Sequence, residues 1–220
     1  MIRNLKVLLA AALALAAVGA ISASAAQAAE FHCSVEPCRY RATPDGTGST
    51  AHHVFIVENS TTTESVSFTC AQITGEGTSA TKTATSVTLE NITYPSAGCK
   101  VNGSTGVTVV MNGCKYKFTN TGTVTITGCE AGKSIEVKIT GCTFTIGEQG
   151  PLNGITYHTV NTPREVTVST DVHPIVVTAD GPKASCLINP SQTLIGTYTT
   201  GNTIVTGETT GEKMEESWFE

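Results

Sequence analysis

The sequence predicts an all-β protein, an antiparallel β-sandwich-like domain built from hairpins, stapled by disulfides and preceded by a signal peptide. Three observations carry that expectation. Short segments of alternating apolar and polar residues recur along the chain, and turn-forming Gly, Pro, Asn and Asp separate them. All 38 threonines lie after residue 42, mostly beside Val, Ile, Phe or Tyr. Side chains branched at Cβ are stiff at χ1 and pack well on a pleated surface, so this composition favours strands. Third, eight cysteines follow an apolar N-terminus, and an even count in an exported chain reads as up to four disulfides.

Residues 1–28 have a basic start at Arg3 and Lys6, an apolar Leu/Ala stretch from Val7 to Ile21, and small residues ending in Ala26-Gln27-Ala28. That order is the signature of a secretory signal peptide cleaved near Ala28, with an apolar run shorter than a comfortable membrane span. No later segment has the apolar length to cross a bilayer, so the expected location is secreted, extracellular. Residues 29–220 read as a single all-β domain, with a division into two small β-domains near residue 96 as the alternative. The chain's formal net charge is −5, and loss of Arg3 and Lys6 with the leader makes the remainder more acidic. With no basic patch to neutralise phosphates, nucleic acid is not an expected partner.

From Ala29 to Ser49 the chain is turn-rich, and Cys33 and Cys38 close a small ring that fastens the N-terminus. Strands follow at 52–58, 65–70 and 86–94. The second places Val66, Phe68 and Cys70 on one face. In the third the inward parity changes between Leu89 and Ile92, which predicts a bulge near Glu90-Asn91. The polar stretch 71–85 reads as a loop.

Two phrases then resemble each other, "VTVVMNGCKYKF" at 107–118 and "IEVKITGCTFTI" at 135–146. Asn112-Gly113 is a strong two-residue turn signal, because both central residues of a type I′ turn need φ > 0. A hairpin about it pairs Met111 with Cys114, Val109 with Tyr116 and Val107 with Phe118. The same registration about Thr140-Gly141 pairs Ile139 with Cys142, Val137 with Phe144 and Ile135 with Ile146. The two therefore read as a duplicated strand–turn–strand unit with an inward cysteine. Further strands are expected at 123–127, 154–160, 164–170, 172–178, 194–199 and 203–207, with Pro174 marking an edge or a bulge. Trp218 and Phe219 make the acidic tail a docked last strand.

The disulfide candidates are Cys33, Cys38, Cys70, Cys99, Cys114, Cys129, Cys142 and Cys186. Beyond the Cys33–Cys38 ring, three pairings of the central four stay open. These are Cys99–Cys114 with Cys129–Cys142, Cys99–Cys129 with Cys114–Cys142, and Cys114–Cys129 with Cys99–Cys142. Structural zinc sites combine two close ligand pairs, and only one close pair exists here. A thioredoxin-like relay needs C-x-x-C at a helix start, which is missing.

Inward parity argues against an accessible thiolate at Cys114 or Cys142. His158 and His173 lie on strands of opposite character, and His52-His53 is an adjacent pair entering a strand. No G-x-S-x-G occurs, and no strand shows the paired inward carboxylates that glycoside hydrolysis needs. Tyr94, Tyr116, Tyr157 and Tyr198 read as core or cross-strand residues. Asn59, Asn91 and Asn102 head N-x-[ST] sequons, which arise by chance in a Ser/Thr-rich chain. No catalytic, cofactor-binding or metal-binding residue and no cofactor is therefore expected.

The run from Gly98 to Tyr157 carries an N-G-C-x-Y turn, a Cys-x-x-Gly-Lys loop at Cys129–Lys133 and, later, a Gly-x-Tyr-Thr strand at Gly196–Thr199. In these features the chain resembles a group of uncharacterised secreted, disulfide-rich all-β proteins of high-GC soil bacteria, over roughly residues 66–207. Cys33 and Cys38 depart from that pattern. The resemblance implies fold and export, with no activity attached. The expected function is that of a non-catalytic extracellular or cell-envelope protein of structural or binding role, with cell-surface association as one form of it. The alternative is a secreted hydrolase or inhibitor with a site built from loops 71–85 or 147–153, where His158 and Glu148 are the residues to replace.

Overall fold

The structure, a computed structural model, describes residues 29–44, 53–161, 164–208 and 214–220. The segment expected to be a signal peptide, the turn run after Pro44 and His52 lie outside the described residues. Within them the chain is almost all β, and every strand pairing is antiparallel.

Where parity is clean, the strands fall where alternation puts them. β4 (Ser65–Cys70) buries Val66, Phe68 and Cys70, and β12 (Thr123–Thr127) buries Val124 and Ile126. β13 (Ile135–Ile139) and β14 (Cys142–Ile146) form the second expected hairpin in the expected register, Ile135 opposite Ile146, Val137 opposite Phe144 and Ile139 opposite Cys142. The expected bulge in β7 (Ser86–Thr93) is present. Asn91 has φ of 50°, and the pairing with β5 (Thr74–Ser79) slips by one residue there.

β5 itself corrects the reading of 71–85 as a loop. It pairs on both sides, with β2 (Cys38–Pro44) and β7, and β6 (Thr83–Ala84) is a further short strand. Its inward residues are Gly75 and Gly77. A Cβ at Gly77 would lie 2.6 Å from the Thr88 carbonyl oxygen, so the strand is apolar on its inner side by being bare. The segment 147–153 likewise contains β15 (Gln149–Asn153), paired with β12. The turn-rich N-terminal stretch contributes β1 (Phe31–Cys33) as well as β2.

The first phrase does not make a hairpin. The Asn112-Gly113 turn forms, with φ of 48° and 74° and the Cys114 N–H donating to the Met111 carbonyl at 2.9 Å. Its two arms then part. β10 (Thr108–Val110) pairs with β13, while β11 (Lys115–Thr119) pairs with β7 and β12. The resemblance between the two phrases is thus one of sequence and turn position, and the duplicated-unit reading fails at the level of pairing.

Two long strands organise the rest. The expected pairs 164–170 with 172–178, and 194–199 with 203–207, are each continuous, as β17 (Arg164–Asp180) and β18 (Leu194–Glu208). A register slip between Val172 and Ile175 accommodates Pro174, as a bulge. The first half of β17 pairs with β16 (Ile155–Asn161) and with the second half of β18, which continues to β2, β5, β7, β11, β12 and β15. The second half of β17 pairs with β14 and with the first half of β18. That sheet extends through β13 to β10 on one side and, on the other, through β3 (His53–Asn59) and β4 to β8 (Cys99–Val101) and β9 (Ser104–Thr105). The two sheets face each other across one buried cluster that takes in residues from Ala42 to Leu194.

The tail docks, as expected. After β19 (Met214–Glu215) comes β20 (Ser217–Phe219), which pairs with β1, and β1 also pairs with β6. Phe219 packs against Phe31 and Tyr157, while Trp218 stacks on His32 and takes the Arg164 guanidinium 4.5 Å from its ring centre.

Four disulfides close the fold: Cys33–Cys38, Cys70–Cys99, Cys114–Cys129 and Cys142–Cys186. The N-terminal ring is as expected, but none of the three complete pairings of the central cysteines occurs. Only the Cys114–Cys129 bond belongs to one of them. Cys99 bonds instead to Cys70, directly opposite it where β8 pairs with β4, and Cys142 reaches Cys186 in a single helical turn, Lys183–Cys186. Among the described residues no helix is long and apolar enough to cross a membrane.

Candidate functional site

The core is mainly aliphatic and aromatic, and one histidine is buried within it. His53 opens β3 with the same parity as Phe55 and Val57, so its imidazole points inward and is buried. Its Nδ1 lies 2.7 Å from the Tyr198 hydroxyl of β18. That hydroxyl is 3.2 Å from the hydroxyl of Tyr94, directly after β7, which in turn is 3.3 Å from the hydroxyl of Tyr116 on β11. Four polar side chains thus form one hydrogen-bonded chain inside the sandwich. Burial holds the phenols of Tyr94 and Tyr116 well above the usual tyrosine range and raises that of Tyr198 as well. All three are therefore neutral across the physiological range, able both to donate and to accept.

Two cavities flank this chain. The larger, about 110 Å³, lies between the sheets, with Phe55, Phe68, Val137 and Ile146 on one side and Val124 and Leu152 on the other. The smaller, about 70 Å³, is walled by Phe31, Tyr40, Leu89, Tyr157, Val166 and Val205. His53, Tyr116, Phe118, Thr170 and Tyr198 line both, so the polar chain and its neighbours form the partition between them. Among the described residues no Asp, Glu, Lys or Arg lines either cavity. Tyr40 is buried beside the smaller one, its phenol pushed up to about 12 by burial, and its hydroxyl has no hydrogen-bond partner among the described residues. Leaving a buried hydroxyl unpaired costs about 1–3 kcal/mol.

The residues singled out from sequence lie elsewhere. His158 is exposed on β16 and His173 is exposed on β17. Glu148, also exposed, uses its carboxylate to accept the Cys129 N–H at 2.9 Å. All eight cysteines are in disulfides, and among the described residues no group of three or more His, Cys, Asp or Glu is placed to hold a metal ion. Of the sequon asparagines, Asn91 and Asn102 are exposed at positive φ, while Asn59 is buried and accepts from Thr61.

His53 is the residue that reading by sequence passed over. The usable signal was its parity with Phe55 and Val57, which sets it inward.

Compared with known protein families, with curated proteins and with solved structures, the chain finds no match.

Proposed function

We propose that this is a non-catalytic, extracellular binding protein that holds a small apolar molecule in its interior. The observation that carries the reading is the pair of cavities on either side of one polar partition. Native cores are packed to the density of organic crystals and rarely leave voids much larger than a water molecule. An apolar cavity of about 150 Å³ in an engineered core stays dry and takes up benzene, and the larger space here, about 110 Å³, is smaller but of the same order. The walls supply dispersion contacts, and the absence of Asp, Glu, Lys and Arg side chains from them, among the described residues, suits an uncharged guest. Four disulfides and the leader-like N-terminus support an oxidising, extracellular setting.

A non-catalytic role is favoured by the chemistry at the partition. Phenols whose pKa burial raises give up their protons poorly near neutral pH, and among the described residues no carboxylate lines the cavities to form a proton relay with them. Toluene titrated into the protein tests the reading. The expected result is a saturable shift of the methyl resonances of Val137, Ile146 and Ile126 together with a rise in Tm. Unchanged methyl resonances at saturating toluene overturn it.

A further inference from the structure

The polar chain that divides the two cavities has a direction, and the direction decides what a guest must offer. Each tyrosine hydroxyl has one proton to donate and lone pairs to accept with. If the imidazole Nδ1 of His53 donates to Tyr198, the chain runs Tyr198 to Tyr94 to Tyr116, and the Tyr116 proton is left over at the end. If Nδ1 accepts from Tyr198, the chain runs the other way, and Tyr116 spends its proton on Tyr94 while keeping a lone pair. Either way, among the described residues, Tyr116 terminates the chain with one unused valence, and Tyr116 lines both cavities.

We propose that the interior site selects a neutral monocyclic alcohol or phenol, whose single hydroxyl pairs with Tyr116 while its ring fills the larger cavity. The inference rests on the reading of the interior as a binding site and goes further by assigning the guest's polar group. A hydroxyl both donates and accepts, so it answers the Tyr116 end in either arrangement. A carboxylate or an ammonium would leave water for a wall that, among the described residues, holds no Lys, Arg, Asp or Glu to pair with it, and an ion so placed loses its hydration without a full charge to replace it. A plain hydrocarbon would fit the walls but leave the Tyr116 valence unanswered. Sites built to bond a hydroxyl discriminate strongly against the analogue lacking it, because their own buried polar group is then stranded.

The experiment compares p-cresol, toluene and benzoate by calorimetric titration against the native protein and the Tyr116→Phe variant. Binding of p-cresol at least tenfold tighter than toluene, no binding of benzoate, and loss of the p-cresol advantage in Tyr116→Phe with toluene unchanged is the expected pattern. Equal affinity for p-cresol and toluene in the native protein overturns the assignment of a hydroxyl guest and leaves the interior-binding reading standing. Silence with all three probes overturns both. A p-cresol preference that survives in Tyr116→Phe overturns the role given to Tyr116. Should that variant fail to fold, Tyr198→Phe interrupts the same chain one step from His53. It is expected to weaken p-cresol by a smaller factor, and an undiminished preference there overturns the proposal equally.

Discussion

The two Gly-Cys phrases, 107–118 and 135–146, place a turn and an inward cysteine alike and build different structures. In the second, β13 and β14 lie side by side and pair residue for residue. In the first, β10 and β11 stand in opposite sheets, so the chain arches from one wall of the sandwich to the other. Asn-Gly, the stronger turn signal, makes the arch, whereas Thr-Gly, with only Gly141 at positive φ, makes the hairpin. A turn dipeptide fixes a local reversal, and the partners its arms find are fixed elsewhere. For the arch those partners are specific. The Asn112 side-chain amide donates to the Ser134 carbonyl at 2.8 Å, the Asn112 carbonyl accepts from the Glu130 N–H at 2.9 Å, and the Cys114–Cys129 bond ties β11 to the end of β12. Val109 and Tyr116, expected to be cross-strand neighbours, instead line the same cavity from arms in opposite sheets.

Truncating the hairpin core should do the most damage. Phe144 is 0% exposed and packs edge-on against Phe68, so Phe144→Ala is expected to cost up to about 5 kcal/mol in urea unfolding. Phe118→Ala in the arch, where the ring is partly exposed, should cost visibly less. Next come the covalent ties. Opening Cys142–Cys186, which spans 44 residues, should cost about 4 kcal/mol, and opening Cys114–Cys129, which spans 15, about 3 kcal/mol by the loop-entropy relation. Equal losses, or the reverse order, would show that the arch depends on its disulfide more than loop length implies.

The two regions should also answer differently to pH. Tyr116 is in the arch, and burial raises its phenol above the ordinary value of 10.0. The folded state then holds a proton that the unfolded state loses. The contribution is complete below about pH 10 and drains away as pH rises through the folded pKa. Tyr116→Phe should flatten the fall of stability above pH 10 by about 1.4 kcal/mol per pH unit, read from urea midpoints in alkaline buffers. At the turns, Asn112→Ala should cost about 1–2 kcal/mol, because alanine resists positive φ and the bond to Ser134 goes. Asn112→Gly should cost less, and Thr140→Asn in the hairpin should stay within about 0.5 kcal/mol.

The smallest effect is expected at Glu136, whose carboxyl is held below its usual range mainly by its hydrogen bond to Lys138, 2.7 Å away on the hairpin's outer face. A depressed carboxyl stabilises above its unfolded pKa and loses that contribution as pH falls through the folded one. Glu136→Gln should therefore remove a small part of the acid-side loss, below about 0.5 kcal/mol for so exposed a pair.

The legible parts of the fold were those in which one face is apolar and the other polar. β4, β12 and the β13–β14 register announce themselves by parity, because a slip of one residue would turn every inward side chain outward. β5 was missed because its inner face is two glycines, invisible to a search for apolar residues yet demanded by the nearness of β7. The Cys70–Cys99 bond was missed because β8 is three residues long and gives no pattern from which to infer its neighbour. In the candidate site, inward parity was visible for His53, but its meeting with Tyr94, Tyr116 and Tyr198 depends on the order of strands across two sheets, which short-range periodicity does not encode.

Because β17 and β18 each belong to both sheets, neither wall of the sandwich owns its middle strands. Amide protons on opposite sides of the molecule therefore share a common opening event: any fluctuation large enough to release β14 from β17, or β2 from β18, loosens a strand on which the other sheet also depends. Hydrogen exchange should accordingly find one cooperative unit with a single highest protection level, in place of two that melt in turn.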